Sequence, residues 1–356
     1  MIVADIHEAH GATLTERGGR RVVADYGRPE RAHAAVRNAV GVTEHAFDLL
    51  AVTGEDRREF VDDAVSNRVP AADGQGVYAL LLDPQGGVET DMYVFTTADR
   101  LLVFLPPGVG PDLAEEWRSK TFIQDVEIAD LTDDLGVFGV HGPKATEKVA
   151  SVFTESTPAD PLSFTRGPMG DAGVTVARLD APASEEGFLV VCAGDDARDV
   201  FDSLENRGLN AAPFGETTWG TLTLEAGTPL FETELRGEIP NVLGVRNALD
   251  FEKGCYVGQE VVSRVENRGR PSRRLVGLAP EAVPEPGAAV FAGDEAVGEV
   301  TRAVEAPTYG GPAALALVDF DSEPRTVRVD GEEVAAERVE LPFVEGSERS
   351  ARLPSY

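Results

Sequence analysis

Val77-Tyr78-Ala79-Leu80-Leu81-Leu82, then Asp83-Pro84-Gln85-Gly86-Gly87, then Val88-Glu89-Thr90-Asp91-Met92-Tyr93-Val94-Phe95: two apolar runs enclose five residues of turn chemistry. That pattern predicts an antiparallel hairpin. Aspartate is depleted in strands, yet Asp91 interrupts the second run, and alternation places it on one face with Tyr93 and Phe95. Working outward, residues 101–105 and 49–53 read as further strands. Residues 55–67 and 111–120 read as helices, the first with acids in its opening turn, as the helix dipole favours. The order β–α–β–β–β–α over residues 49–120 predicts an antiparallel sheet covered by helices on one side, an α+β class.

Beyond this unit a similar order recurs. Strands are expected at 136–140, 174–179 and 187–193, with helices at 143–153, 195–207 and 217–226, the last two stopped by Gly208 and Gly227. The first 45 residues are mixed, with turn signals and a helix expected from Pro29 to about Val40. From 267 to 345 the pattern shifts to short strands punctuated by Pro271, Pro280, Pro284 and Pro286, which predicts a small all-β module. Residues 346–356 lack periodicity and read as a frayed tail. The expected organisation is a two-lobed α+β region over 1–266, a β-module over 267–345, and the tail.

Composition narrows the function. A chain of 356 residues suggests two or three domains. Its 62 acids and 32 bases give a net charge of −30, spread through every segment. Such a surface disfavours nucleic acid, whose binding needs cations to displace counterions. It suits a salt-loaded cytoplasm, where screening shortens to about 3 Å near 1 M, so a halophilic setting is expected. The N-terminus carries charge where a signal peptide needs an apolar run, and no apolar stretch approaches the ~20 residues of a membrane helix. The expectation is a soluble, cytoplasmic protein with no membrane partner. Two cysteines exclude a disulfide framework and a complete four-thiolate site within one chain. Cys192, inside an apolar run, reads as a core thiol.

The densest chemistry lies in Lys253-Gly254-Cys255-Tyr256-Val257-Gly258-Gln259-Glu260. An ammonium near Cys255 would favour the reactive thiolate. From Arg246 to Arg274 seven bases face four acids, a net of +3 on a strongly negative protein and a candidate dock for an anion. The five histidines are scattered, spacing supports no Cys/His or Ser/His/Asp constellation, and no metal site is expected.

The octapeptide is similar to the signature of the YgfZ-type tetrahydrofolate-binding proteins, relatives of the glycine-cleavage T-protein, the aminomethyltransferase. Other segments resemble the wider family. They are Gly76-Val77-Tyr78 through Asp91, Val140-His141-Gly142-Pro143-Lys144-Ala145, Ser184-Glu185-Glu186-Gly187-Phe188, and Leu224-Glu225-Ala226-Gly227-Thr228-Pro229-Leu230. The resemblance covers essentially the whole chain. It implies a three-lobed cloverleaf around a central folate pocket, with the C-terminal module as a small barrel-like lobe. It implies that Glu185 pairs with the pterin edge, that Asp91 lies near the folate's reactive nitrogens, and that Tyr78 and Tyr256 contact the ligand. Cys255, Lys253 and Asp91 become the candidate catalytic residues. Charge adds Arg246 and Arg264 as candidates for the folate's anionic tail.

Two departures from the aminomethyltransferases stand out. Their Asp-x-Ser-His element is replaced by Val42-Thr43-Glu44-His45-Ala46, without the Asp and the aligned His, and they lack the octapeptide's cysteine. These departures favour an accessory protein that binds tetrahydrofolate and supports iron–sulfur client proteins through a thiol loop. The alternative is a one-carbon transferase of the aminomethyltransferase kind, with tetrahydrofolate as acceptor.

Overall fold

The hairpin forms as its sequence predicts. In the computed structural model, which describes residues 1–356 apart from the side chain of Arg268, strands Gln75–Leu82 and Val88–Thr96 pair antiparallel. Tyr78 lies opposite Tyr93, and Leu80 opposite Asp91. Asp83 closes the turn by accepting the Gln85 amide at 2.7 Å and the Gly87 amide at 2.9 Å. Leu101–Leu105, Asp48–Thr53 and Glu127–Asp130 extend the pair into a five-stranded antiparallel sheet. Alternation then divides the side chains. Ala79, Leu81, Met92 and Val94 pack beneath helices Arg57–Ala64 and Gly110–Lys120, around Phe60 and Trp117. Tyr78, Leu80, Tyr93 and Phe95 turn to the other face and a different core.

A second sheet repeats the design. Phe164–Met169, Ala172–Arg178, Gly187–Ala193, Leu135–His141 and Gly41–Glu44 are antiparallel neighbours, and Ala212–Pro213 adds a parallel edge. Phe138, Val140, Phe188 and Val190 face helices Ala145–Ala150 and Ala197–Asn206. Val137, Leu189 and Val191 face the core that also takes Tyr78 and Tyr93. Six strands between Arg273 and Val339 close a barrel. Its interior holds Val276, Leu278, Val290 and Ala316, while Leu275, Leu315 and Leu317 turn outward into the same shared core. Two sheet lobes and a barrel thus meet along one apolar centre, the expected α+β cloverleaf.

Several expectations need correction. The helix expected over 55–67 is Arg57–Ala64, because the residues after it are drawn into the sheet: Val65 bridges Leu81, and the Ser66 amide donates to the Leu80 carbonyl at 2.8 Å. The helix expected over 143–153 is Ala145–Ala150. The hairpin Thr13–Arg17/Arg20–Asp25 and the helix Gln259–Arg268 were not evident from pattern. That helix starts at Gly258, which takes φ 79° and packs where a Cβ would lie 2.6 Å from the Asp83 carbonyl oxygen. The octapeptide therefore rests on the turn of the first hairpin.

The tail is not frayed. Ser350, Arg352 and Leu353 are buried. The Ala351 amide donates to the Asp180 carbonyl at 3.0 Å. The Tyr356 hydroxyl donates to the Val242 carbonyl at 2.8 Å and accepts from the Leu275 amide at 2.7 Å. Residues 346–356 form a strap that leaves the barrel and crosses back over the second lobe.

Candidate active site

Where the lobes face each other, a cleft of about 680 Å³, counted out to its open mouth, is walled by both sheets, the N-terminal hairpin and the strap. Phe47, Phe104, Trp219 and Phe231 supply flat apolar walls, and Asp91, Tyr78, Tyr93 and Arg352 supply polar groups.

Asp91 reaches the cleft because strand alternation sends it inward with Tyr93. It is buried, and its Oδ2 accepts the Tyr78 hydroxyl at 2.8 Å and lies 3.6 Å from Arg352 Nη1. Oδ1 has no hydrogen-bond partner among the described residues. Burial raises the pKa of Asp91, against the opposing pull of the Arg352 guanidinium and the Tyr78 hydroxyl. Burial also drives the Tyr78 and Tyr93 phenols well above their ordinary range, so both stay protonated. Arg352 lies with its Cζ 3.8 Å from the centre of the Tyr78 ring. Burial alone would weaken its charge, but the Asp180 carboxylate, with Nε donating to it at 2.8 Å, holds it protonated.

Two other groups border the cleft. Arg17, from the N-terminal hairpin, is committed to Glu232 at 3.1 Å and Glu216 at 3.3 Å. His45 meets His141 Nε2 to Nε2 at 3.3 Å, and both rings pack against Trp219, His45 edge-on and His141 tilted. Burial depresses both imidazoles, His141 to about 3, so the pair is neutral and one ring donates to the other. Gly139 is needed beneath them, since a Cβ there would sit 2.4 Å from His45 Nε2.

Of the residues proposed from sequence, only Asp91 and Tyr78 line this cleft. Glu185 is buried beside it with both oxygens engaged: Oε1 accepts from Arg37 at 3.1 Å, and Oε2 accepts the Ser347 amide and hydroxyl at 3.1 and 2.8 Å. A pterin edge would have to displace Ser347 to reach it. Lys253 does not hydrogen-bond to Cys255. Its ammonium donates to the carbonyls of Asp62, of Val65 at 2.7 Å and of Asn67 at 3.2 Å. These bonds close the end of helix Arg57–Ala64, and burial depresses the pKa of Lys253. Cys255 is exposed on the loop that Lys253 pins. Tyr256 is a core residue whose phenol burial pushes up to about 12, and the Lys253 ammonium lies 5.5 Å from its ring centre. Arg246 forms a two-pronged pair with Glu266 at 3.0 and 2.6 Å, in a separate surface hollow with Phe251 and Tyr356. Arg264 is exposed on helix Gln259–Arg268.

Sequence reasoning missed Arg17, His45, Asp180 and Arg352. Tyr93 carried a signal, since it shares its strand face with Asp91. Arg352 carried none, because its place depends on a strap with no period of its own.

The chain matches the model of the GCVT N-terminal domain over residues 3–253. It matches the glycine cleavage T-protein C-terminal barrel domain over residues 273–345. The aminomethyltransferase of Saccharopolyspora erythraea is 31% identical, over 95% of this chain and 96% of that protein. The aminomethyltransferase of Bacillus subtilis is 28% identical, over 95% and 97%. In three dimensions the chain superposes on the glycine cleavage system aminomethyltransferase T of Bartonella henselae with a TM-score of 0.88, at 22% identity and 98% coverage of both chains, a likeness of fold. With both domain models matched in order and a relative above 30% identity along nearly its whole length, the chain belongs to the glycine-cleavage T-protein family.

Proposed function

We infer that the protein transfers a one-carbon unit from an amine donor to tetrahydrofolate, which binds in the central cleft. The observation that carries this reading is Asp91: buried, held on one oxygen by Tyr78, open on the other, and set among aromatic walls. The residues suit a folate. Aromatic rings offer faces for a flat heterocycle. The open carboxylate oxygen accepts an N–H, and Arg352 offers a cation to an anionic or carbonyl group. When bound, tetrahydrofolate supplies the nucleophilic nitrogen that takes the carbon. Asp91 orients that acceptor and, with its pKa raised by burial, holds or releases a proton beside it.

This reverses the order in which the sequence ranked its two readings. Relatives spanning about 95% of the chain are named aminomethyltransferase. Calorimetric titration with tetrahydrofolate tests the reading: the wild type should bind at one site, and Asp91→Asn should bind with its pH dependence lost. A wild type that releases no binding heat overturns it.

One observation favours a second reading, the YgfZ-type accessory role. Cys255 is exposed on a loop anchored by a buried ammonium, a presentation that suits a thiol acting on iron–sulfur clients. In that case Cys255→Ala lowers iron–sulfur enzyme activities in cells. Under the first reading the same substitution leaves those activities and tetrahydrofolate turnover unchanged.

A further inference from the structure

The guanidinium of Arg352 is held from behind. Nε donates to Asp180 Oδ2 at 2.8 Å, and Nη2 donates to Asp180 Oδ1 at 3.3 Å and to the Tyr93 hydroxyl. The Tyr93 hydroxyl in turn donates to Asp180 Oδ1 at 2.7 Å. Nη1, on the front edge, has no hydrogen-bond partner among the described residues. Its nearest carboxylate oxygen is Asp91 Oδ2 at 3.6 Å, beyond bonding distance. Two carboxylates thus compete for one cation, and Asp180 wins by using both of its oxygens.

Asp180 is well placed to win. Its carbonyl accepts the Ala351 amide at 3.0 Å, so the strap that carries Arg352 is fastened at the same residue. The loop beyond it runs through Ala181 at φ 55° and Ser184 at φ 56°, conformations that non-glycine residues avoid unless held. Here the Ser184 amide bonds back to the Ala181 carbonyl at 2.9 Å, and the Ser184 carbonyl accepts the Glu348 amide at 3.3 Å. Loop and strap fix each other, and Arg352 is the side chain they deliver to the cleft.

We propose that Asp180 is a positioning residue: by gripping the back edge of Arg352 it keeps the guanidinium off Asp91, so that Nη1 and the open Asp91 oxygen stand side by side as a donor and an acceptor for the substrate. The complementary ligand presents an acceptor next to an N–H donor, as an amide or a reduced pterin edge does. This inference rests on the reading that tetrahydrofolate occupies the cleft. Without Asp180, Arg352 closes on Asp91, each neutralises the other, and neither is left for the ligand.

The groups facing Asp91 are Tyr78 from the neighbouring strand, Arg352 from the strap and Arg17 from the N-terminal hairpin, with Asp180 behind Arg352. A direct Arg352–Asp91 pair favours the carboxylate, so losing Asp180 moves the titration of Asp91 to lower pH. The test joins that titration, followed by carbon NMR of the Asp91 carboxyl in the ligand-free chain, to calorimetry with tetrahydrofolate. Asp180→Asn should shift the titration down and weaken binding by about tenfold or more, as expected for a lost charge-assisted contact. In an Arg352→Ala background it should do neither. An unmoved titration in Asp180→Asn, or an effect of the same size without Arg352, overturns the proposal. If Asp180→Asn does not fold, Tyr93→Phe removes one buttress of Asp180 and should produce a smaller shift in the same direction, and no shift counts against the proposal. A wild type that binds no tetrahydrofolate defeats the cleft reading, while the ligand-free titration still decides the role of Asp180.

Discussion

Asp91 holds its place at a cost to stability. Its pKa in the fold lies above the ordinary value of 3.8, so between those values the folded chain binds more protons than the unfolded one. Stability from this group therefore falls as pH rises through that window. Asp91→Asn removes the penalty. The variant should unfold at a higher temperature than wild type at pH 7, with the gap closing below about pH 4, while kcat falls by about 10²–10⁴. A gap of equal size at both pH values contradicts the assignment. Lys253 makes the opposite case, a chemical-looking residue with a structural job. Lys253→Met strands three carbonyls and should cost about 1–3 kcal/mol in urea unfolding, yet leave the rate at which Cys255 reacts with a thiol reagent unchanged. A slowed thiol would restore the activating role expected from sequence. At this scale, residue type and strand face exposed Asp91, Tyr78 and Tyr93. Adjacency in sequence misled at Lys253, because neighbours along a loop point in different directions.

The elements differ in how openly they declare themselves. The hairpin around Asp83-Pro84-Gln85-Gly86-Gly87 is specified locally, by apolar alternation and turn chemistry, and both sheet lobes were legible for that reason. The strap is specified only by what it meets. Ser347 bonds Glu185, Ala351 bonds Asp180, and the Ser350 hydroxyl accepts from Thr228 at 2.7 Å, none of which leaves a period in its own residues. Removing residues 346–356 should lower the thermal midpoint, speed hydrogen exchange in the 180–186 loop and abolish tetrahydrofolate binding. Gly346→Ala is the milder version, because a Cβ there would sit 1.9 Å from the Ser184 carbonyl oxygen. It should raise the exchange rate of the same loop without unfolding the barrel. Exchange unchanged in both variants would mean that the strap does not hold the loop.

As a whole, the molecule sets two sheet lobes and a barrel around one apolar core, and opens its cleft among them. Its charge of −30 opposes this closeness. The opposition is screened as the Debye length falls from about 10 Å at 0.1 M salt to about 3 Å at 1 M. The thermal midpoint should therefore rise between 0.1 and 1 M KCl, and an equal midpoint in both would remove self-repulsion as a factor. The three-lobed architecture was legible through family likeness in separate segments. The cleft was legible only in part, since it forms where distant segments converge and no single stretch contains it. Its function is decided most directly by turnover: the chain incubated with aminomethyl-lipoyl carrier protein and tetrahydrofolate, with formation of methylene-tetrahydrofolate followed over time. The wild type should form product and Asp91→Asn almost none. No product from a folded wild type that binds tetrahydrofolate, under conditions where a known aminomethyltransferase turns over, would contradict the transferase reading.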